Sequence, residues 1–158
     1  MYYLCSLGSN IRPLQHIPAA VVQLSKRLSP ITVSAFIQTT PLGIDAEQDF
    51  VNGLMWFSSQ QSEACLKRFF NQLEDRFGRN RKDPLSSSKS RTLDIDLIGA
   101  AQRVEDLQQL TVDPFLAPLK QQLFATQPEL ERIVKFEIVN AHGHTLPLGH
   151  RTTTVDFN

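Results

Sequence analysis

Apolar positions recur along the chain with a period that switches between two and about 3.6, and each switch marks an element. Tyr2–Leu7 is short, apolar and aromatic and runs into Gly8-Ser9-Asn10, which predicts a strand ending in a turn. Leu14, Ile17, Val21, Leu24 and Leu28 then fall on one helical stripe. Pro13 suits the first turn of this helix, Pro18 marks a kink or its true start, and Ser29-Pro30 ends it. Ile31–Thr39 is rich in β-branched residues and predicts a second strand, followed by a Thr40-Pro41-Leu42-Gly43 turn and a polar loop through Gln48. Phe50–Ser58 predicts a third strand near the core, and the short connection makes strands two and three an antiparallel pair.

Ser62 and Glu63 open a second helix whose stripe is Leu66, Phe69 or Phe70, Leu73 and Phe77, with Gly78 placed to stop it. A basic loop, Arg79–Ser90, precedes a strand that carries Asp94 and Asp96 and runs to about Ala101. Beyond it the pattern weakens: a short helix over Leu119–Ala125, a turn over Glu129–Ile133 and a last strand over Lys135–Val139 are expected. The order strand–helix–strand–strand–helix–strand predicts an α+β fold, a ferredoxin-like antiparallel sheet with helices packed on one face. It lacks the regular alternation of a doubly wound parallel sheet, and the chain has no Walker-type loop and no G-x-G-x-x-G.

Composition narrows the possible partners. At 158 residues the chain suits one domain over 1–158. Sixteen basic residues balance sixteen acidic ones, so no global charge calls for nucleic acid or an anionic membrane. Neither a signal peptide nor an apolar run near the ~20 residues of a membrane span is visible. Cys5 and Cys65 form neither a disulfide framework nor a zinc motif and read as reduced core thiols. A soluble, cytoplasmic monomer is the expectation. His142, His144 and His150 read as residues of a solvated turn, since no thiolate or carboxylate is spaced with them.

The most informative stretch is Arg91-Thr92-Leu93-Asp94-Ile95-Asp96-Leu97. Strand periodicity sends Asp94 and Asp96 to the same side, with Cα atoms roughly 6.5–7 Å apart. Carboxylates so held can bridge a hard cation such as Mg²⁺. Arg79, Arg81, Lys82, Lys89 and Arg91 lie nearby in sequence, and metal with cations is what phosphoryl transfer needs to offset polyphosphate charge. Taken alone, Asp-x-Asp reads first as an ordinary amphipathic strand with a solvated acidic face.

Several motifs in order change that balance. Leu7-Gly8-Ser9-Asn10, Thr39-Thr40-Pro41-Leu42-Gly43, Asp49-Phe50-Val51-Asn52, Glu74 with Arg79 and Arg81, and Arg91-Thr92-Leu93-Asp94-Ile95-Asp96 together resemble the 6-hydroxymethyl-7,8-dihydropterin pyrophosphokinases of folate biosynthesis. The resemblance covers roughly residues 2–112. It implies transfer of pyrophosphate from ATP, as co-substrate, to the pterin hydroxymethyl group, with release of AMP. It further implies two Mg²⁺ ions on Asp94 and Asp96, with Arg79 and Arg91 catalytic. Nucleotide binding would fall to Glu74, Arg79, Arg81, Arg91, Ile95 and Thr111, and pterin binding to Thr39, Thr40, Leu42, Phe50 and Asn52. A flat heterocycle needs an aromatic face and an amide that reads its edge, and Phe50 and Asn52 supply these two apart on one strand.

The chain departs from the family pattern in two places. The basic loop carries Leu85 and serines where the family has a tryptophan. The expected arginine before Leu110-Thr111-Val112 is Gln109, and Asp113-Pro114-Phe115-Leu116-Ala117-Pro118 stands where Pro-His and a later arginine and phenylalanine would be. A catalytically weak or inactive homologue that binds pterin or nucleotide in a regulatory or partner role is therefore the alternative reading.

Overall fold

The computed structural model describes residues 1–41, 48–85, 90–125, 127–140 and 142–157. The sheet is built from β1 (Tyr2–Ser9), β2 (Ile31–Thr39), β3 (Phe50–Ser58) and β4 (Asp94–Ala101), in the spatial order β4-β1-β3-β2, every pair antiparallel. Two helices connect them, α1 (Pro13–Leu28) between β1 and β2 and α2 (Glu63–Arg76) between β3 and β4. This is the ferredoxin-like arrangement that the element order predicts.

Pro13 at the start of α1 fixes φ where no backbone donor is needed. Pro18 sits inside the helix without ending it, because its missing N–H forfeits a single bond, to Leu14 in the first turn. Ile17, Ala20, Val21, Leu24 and Leu28 are buried, whereas Leu14, expected on the same stripe, is 63% exposed. Leu14 lines a groove together with Phe136, Pro147 and Leu148. In α2 the Ser62 hydroxyl accepts from the Cys65 N–H (3.3 Å), and Gly78 follows the helix at φ 95°, as a stop residue should. Cys5 is buried in the core, but Cys65 is half exposed in the first turn of α2 and is not a core thiol.

Strand alternation divides the sheet between two apolar layers. Tyr3, Cys5, Leu7, Val51, Met55, Phe57 and Ile95 face α1 and α2. Leu4, Ala35 and Leu54 face the other way, against Leu107, Leu116 and Leu119. The expectation of helices on one face only is thus corrected. Even-numbered strand positions are apolar too, so the second face also needs cover. A 3₁₀ segment (Val104–Gln109), a short 3₁₀ turn (Pro114–Leu116) and α3 (Ala117–Phe124) supply it.

Lys135–Val139 is not the last strand. Four short strands complete the described chain: β5 (Ile133–Val134), β6 (Phe136–Val139), β7 (Thr145–Leu148) and β8 (Thr153–Val155). β5 and β8 pair with β2, and β6 with β7 makes a hairpin that sets Phe136, Ile138 and Leu148 against α1. Gly149 enables the return from the hairpin: at φ 90°, an added Cβ would stand 2.1 Å from the Val134 carbonyl. His142 and His144 are exposed in the hairpin turn, as expected. No helix among the described residues is long and apolar enough to cross a membrane.

Candidate active site

The face of the sheet away from α1 and α2 is left open at one end, and a cavity of about 380 Å³ lies there. Sheet register makes its floor. Gly8 of β1 is paired with Asn52 of β3 on one side and Asp94 of β4 on the other, and Ser6 is paired with Asp96. All five line the cavity together with Phe50, Thr39, Thr40 and Pro41. Asp113, Pro114, Phe115 and Leu116, from the segment before α3, add a wall. Gly8 is needed at the centre, since a Cβ there would stand 2.4 Å from Asn52 Oδ1. The Asn52 amide donates through Nδ2 to Thr39 Oγ1 (2.6 Å), which orients its carbonyl.

Charge is concentrated at the β4 side. The Glu74 carboxylate at the end of α2 is 1% exposed and accepts from three donors: the Ile95 N–H (2.7 Å), Arg79 Nη1 (2.7 Å) and Arg81 Nη2. The Arg79 Nη1 group also donates to Asp94 Oδ1 at 2.7 Å, and Arg91 Nη1 donates to Asp94 Oδ2 at 2.6 Å. Both Asp94 oxygens are therefore held by guanidinium groups. The Nε–H of Arg79 is buried, with no hydrogen-bond partner among the described residues. Asp96 has its carboxyl pushed above the usual range, first by lost hydration and then by the neighbouring Asp94 charge, while Arg91 and Arg79 pull the other way.

Arg91 itself precedes β4 and does not belong to the strand, which begins only at Asp94. Its position comes from the turn after β1. The Asn10 side-chain carbonyl accepts from the Arg91 N–H (2.7 Å), and the Asn10 and Ile11 N–H groups donate to the Arg91 carbonyl (3.0 and 3.3 Å). Asn10 and Ser9 are buried.

Of the residues singled out from the sequence, Thr39, Thr40, Phe50, Asn52, Arg91, Asp94 and Asp96 meet in this one cavity. Glu74, Arg79 and Arg81 stand behind Asp94 in the ion-pair chain just described. Ile95 turns its side chain into the core and brings to this region its N–H, already bound to Glu74. Thr111 is exposed and not among the lining residues. Leu42 and Lys89 fall outside the described residues. The Lys120 ammonium donates to the Leu110 carbonyl (2.8 Å). The sequence reading missed the floor position of Gly8, the lining residue Ser6 and the clamp by Asn10, because Gly8-Ser9-Asn10 reads as a turn. The alternation Tyr3, Cys5, Leu7, Ser9 was the available signal that β1 runs further.

A ferredoxin-like sheet with a carboxylate pair, three nearby arginines and an aromatic-lined pocket has the makings of a phosphoryl-transfer site. The sequence model of the 7,8-dihydro-6-hydroxymethylpterin-pyrophosphokinase family matches residues 4–132, and the chain belongs to that family. Among relatives, the 2-amino-4-hydroxy-6-hydroxymethyldihydropteridine pyrophosphokinase of Haemophilus influenzae is 28% identical over 110 residues, which cover 68% of this chain and 67% of the relative.

Proposed function

We propose that the protein transfers pyrophosphate from ATP to 6-hydroxymethyl-7,8-dihydropterin, giving the pterin diphosphate and AMP. Family membership supports the reaction, and one observation supports its location: the aromatic and amide groups suited to a pterin share a cavity with Asp94 and Asp96. The pterin hydroxyl oxygen attacks the β-phosphorus of ATP. A new O–P bond forms as the bond from β-phosphorus to the α,β-bridging oxygen breaks, AMP leaves with that oxygen, and the hydroxyl proton is released. No protein nucleophile is required, so catalysis rests on alignment and charge neutralisation.

Phe50 offers a ring face to the pterin, with Phe115 as a second aromatic lining the pocket. Asn52, oriented by Thr39, reads the donor–acceptor edge, with Thr40 beside it. Arg79 and Arg91 take phosphate oxygens, exchanging Asp94 for the incoming anion, and Arg81 assists at the rim. Among the described residues the buried Arg79 Nε–H has no acceptor, which supports this assignment, since a phosphate oxygen is one group that would satisfy it. Glu74 serves the nucleotide through Arg79 and Arg81, which it holds in place.

Asp94 and Asp96 fit Mg²⁺, as two hard carboxylates whose mutual repulsion a divalent cation relieves. Bound there, two such ions with the ATP phosphates would supply Lewis acidity and charge neutralisation. Among the described residues no group of three His, Cys, Asp or Glu is gathered, so Asp94 and Asp96 would hold the ions together with phosphate oxygens and water. The test is to incubate the protein with ATP, Mg²⁺ and 6-hydroxymethyl-7,8-dihydropterin and to follow AMP. Pterin-dependent AMP release supports the reading; pterin binding without AMP supports the non-catalytic alternative.

A further inference from the structure

The buried side chain of Asn10 lies between the roots of the two loops that the proposed reaction uses. Its Oδ1 accepts from the Arg91 N–H at 2.7 Å. Its Nδ2 donates to Ser90 Oγ (3.1 Å), where the basic loop ends, and to the Gln48 carbonyl (3.3 Å), where the chain returns toward Phe50. The backbone completes the clamp: the Asn10 and Ile11 N–H groups both point at the Arg91 carbonyl, and Ser9 Oγ approaches it at 3.5 Å. Arg91 is thus gripped on both of its peptide groups by residues 9–11 while its guanidinium reaches Asp94. At 1% exposure, the Asn10 amide has little water to compete for these bonds.

We propose that Asn10 is a positioning residue for pyrophosphoryl transfer, acting through the backbone of Arg91 to fix where that guanidinium meets Asp94 and the transferring phosphate. The inference rests on the pyrophosphokinase reading above. Arg91 lies outside β4, and among the described residues the backbone contacts from Asn10 and Ile11 hold its carbonyl. A guanidinium displaced by an ångström loses its aim at developing charge, a loss that costs on the order of 10²-fold in rate. Asn10 is not among the cavity-lining residues.

The experiment is a double-mutant cycle on kcat with Asn10→Ala, Arg91→Ala and the pair, each checked for folding by its thermal melt. Asn10→Ala is expected to lower kcat by about 10–100-fold with little change in the pterin KM. In the Arg91→Ala background the same change is expected to cost less than about threefold, because the group it positions is gone. Asn10→Asp keeps an acceptor for the Arg91 N–H and is expected to retain more kcat than Asn10→Ala. Losses that multiply in the double variant, or an Asn10→Ala enzyme with unchanged kcat, overturn the proposal.

Hydrogen exchange of the Arg91 amide in the unaltered protein tests the clamp independently of turnover or of how the variants fold. Slow exchange, comparable to that of β4 amides, supports it. Exchange at the rate of an open loop overturns it. Absence of AMP from the unaltered protein would refute the pyrophosphokinase reading itself, which is a different outcome from either of these.

Discussion

Gly8→Ala tests whether the pterin end of the cavity is built as described. The added Cβ would stand 2.4 Å from Asn52 Oδ1 and 3.5 Å from its Cγ, so the Asn52 side chain must rotate. Rotation breaks the 2.6 Å bond from Nδ2 to Thr39 Oγ1, at about 0.5–1.5 kcal/mol net, and a strained rotamer adds a similar amount. Against this, alanine restricts the unfolded chain and returns about 0.4–1 kcal/mol. The net stability loss is therefore small, about 0–2.5 kcal/mol, and the protein remains folded.

Ligand binding pays more heavily. An amide turned away from the pterin edge leaves polar groups of a desolvated ligand unmatched, at about 1–3 kcal/mol, or about 5–150-fold in pterin Kd. Pterin fluorescence titration with and without a non-hydrolysable ATP analogue measures both sites. Pterin affinity should fall in that range while analogue affinity without pterin changes less than about threefold. Asn52→Ala should add little in the Gly8→Ala background. Unchanged pterin binding in Gly8→Ala, or an equal loss at both sites, would refute the reasoning.

Two further substitutions separate stability from function. Glu74→Ala removes a shared partner of Arg79 and Arg81, which keep Asp94 and Asp75, and strands the Ile95 N–H, so urea unfolding should show a loss of about 1–3 kcal/mol. Asp96→Asn should raise the melting temperature of the metal-free protein at neutral pH while abolishing turnover. Folding raises the Asp96 pKa, so the ionised form penalises the folded state above that pKa, and the penalty fades as pH falls to the unfolded value near 3.8. The advantage of the Asn variant should therefore shrink on acidification; an advantage that grows instead would contradict the assignment.

Much of the fold was legible because its elements are long and strongly periodic. β2, β3 and the caps of α2 stand where the pattern put them, since β-branched runs and a Ser–Gly bracket leave little competition. The C-terminal strands were not legible. β8 has three residues and β7 contains Pro147, so neither is long enough to display alternation, and their pairing depends on a distant β2 or on the hairpin. The second apolar layer was missed for a related reason, since a 3₁₀ segment carries no 3.6-residue stripe.

At the site, period two places Asp94 with Asp96 on β4 and Phe50 with Asn52 on β3, whereas the meeting of the two pairs on one face comes from their register with Gly8. The contributions of Gly8 and Asn10 were not legible, because they arise from register. Gly8 matters through what lies on the strands either side of it, and Asn10 through the backbone of a residue 81 positions away. Phe115 shows the reverse case: the segment that departs from the family pattern still delivers an aromatic ring to the cavity.

The central claim is that this cavity moves an intact pyrophosphoryl group. Phosphorus NMR of a reaction containing ATP, Mg²⁺ and 6-hydroxymethyl-7,8-dihydropterin reads it directly. The account predicts a pterin diphosphate and AMP appearing in equal amounts, and no signal from either in Asp94→Ala. ADP with a pterin monophosphate, or equal turnover by Asp94→Ala, would contradict it.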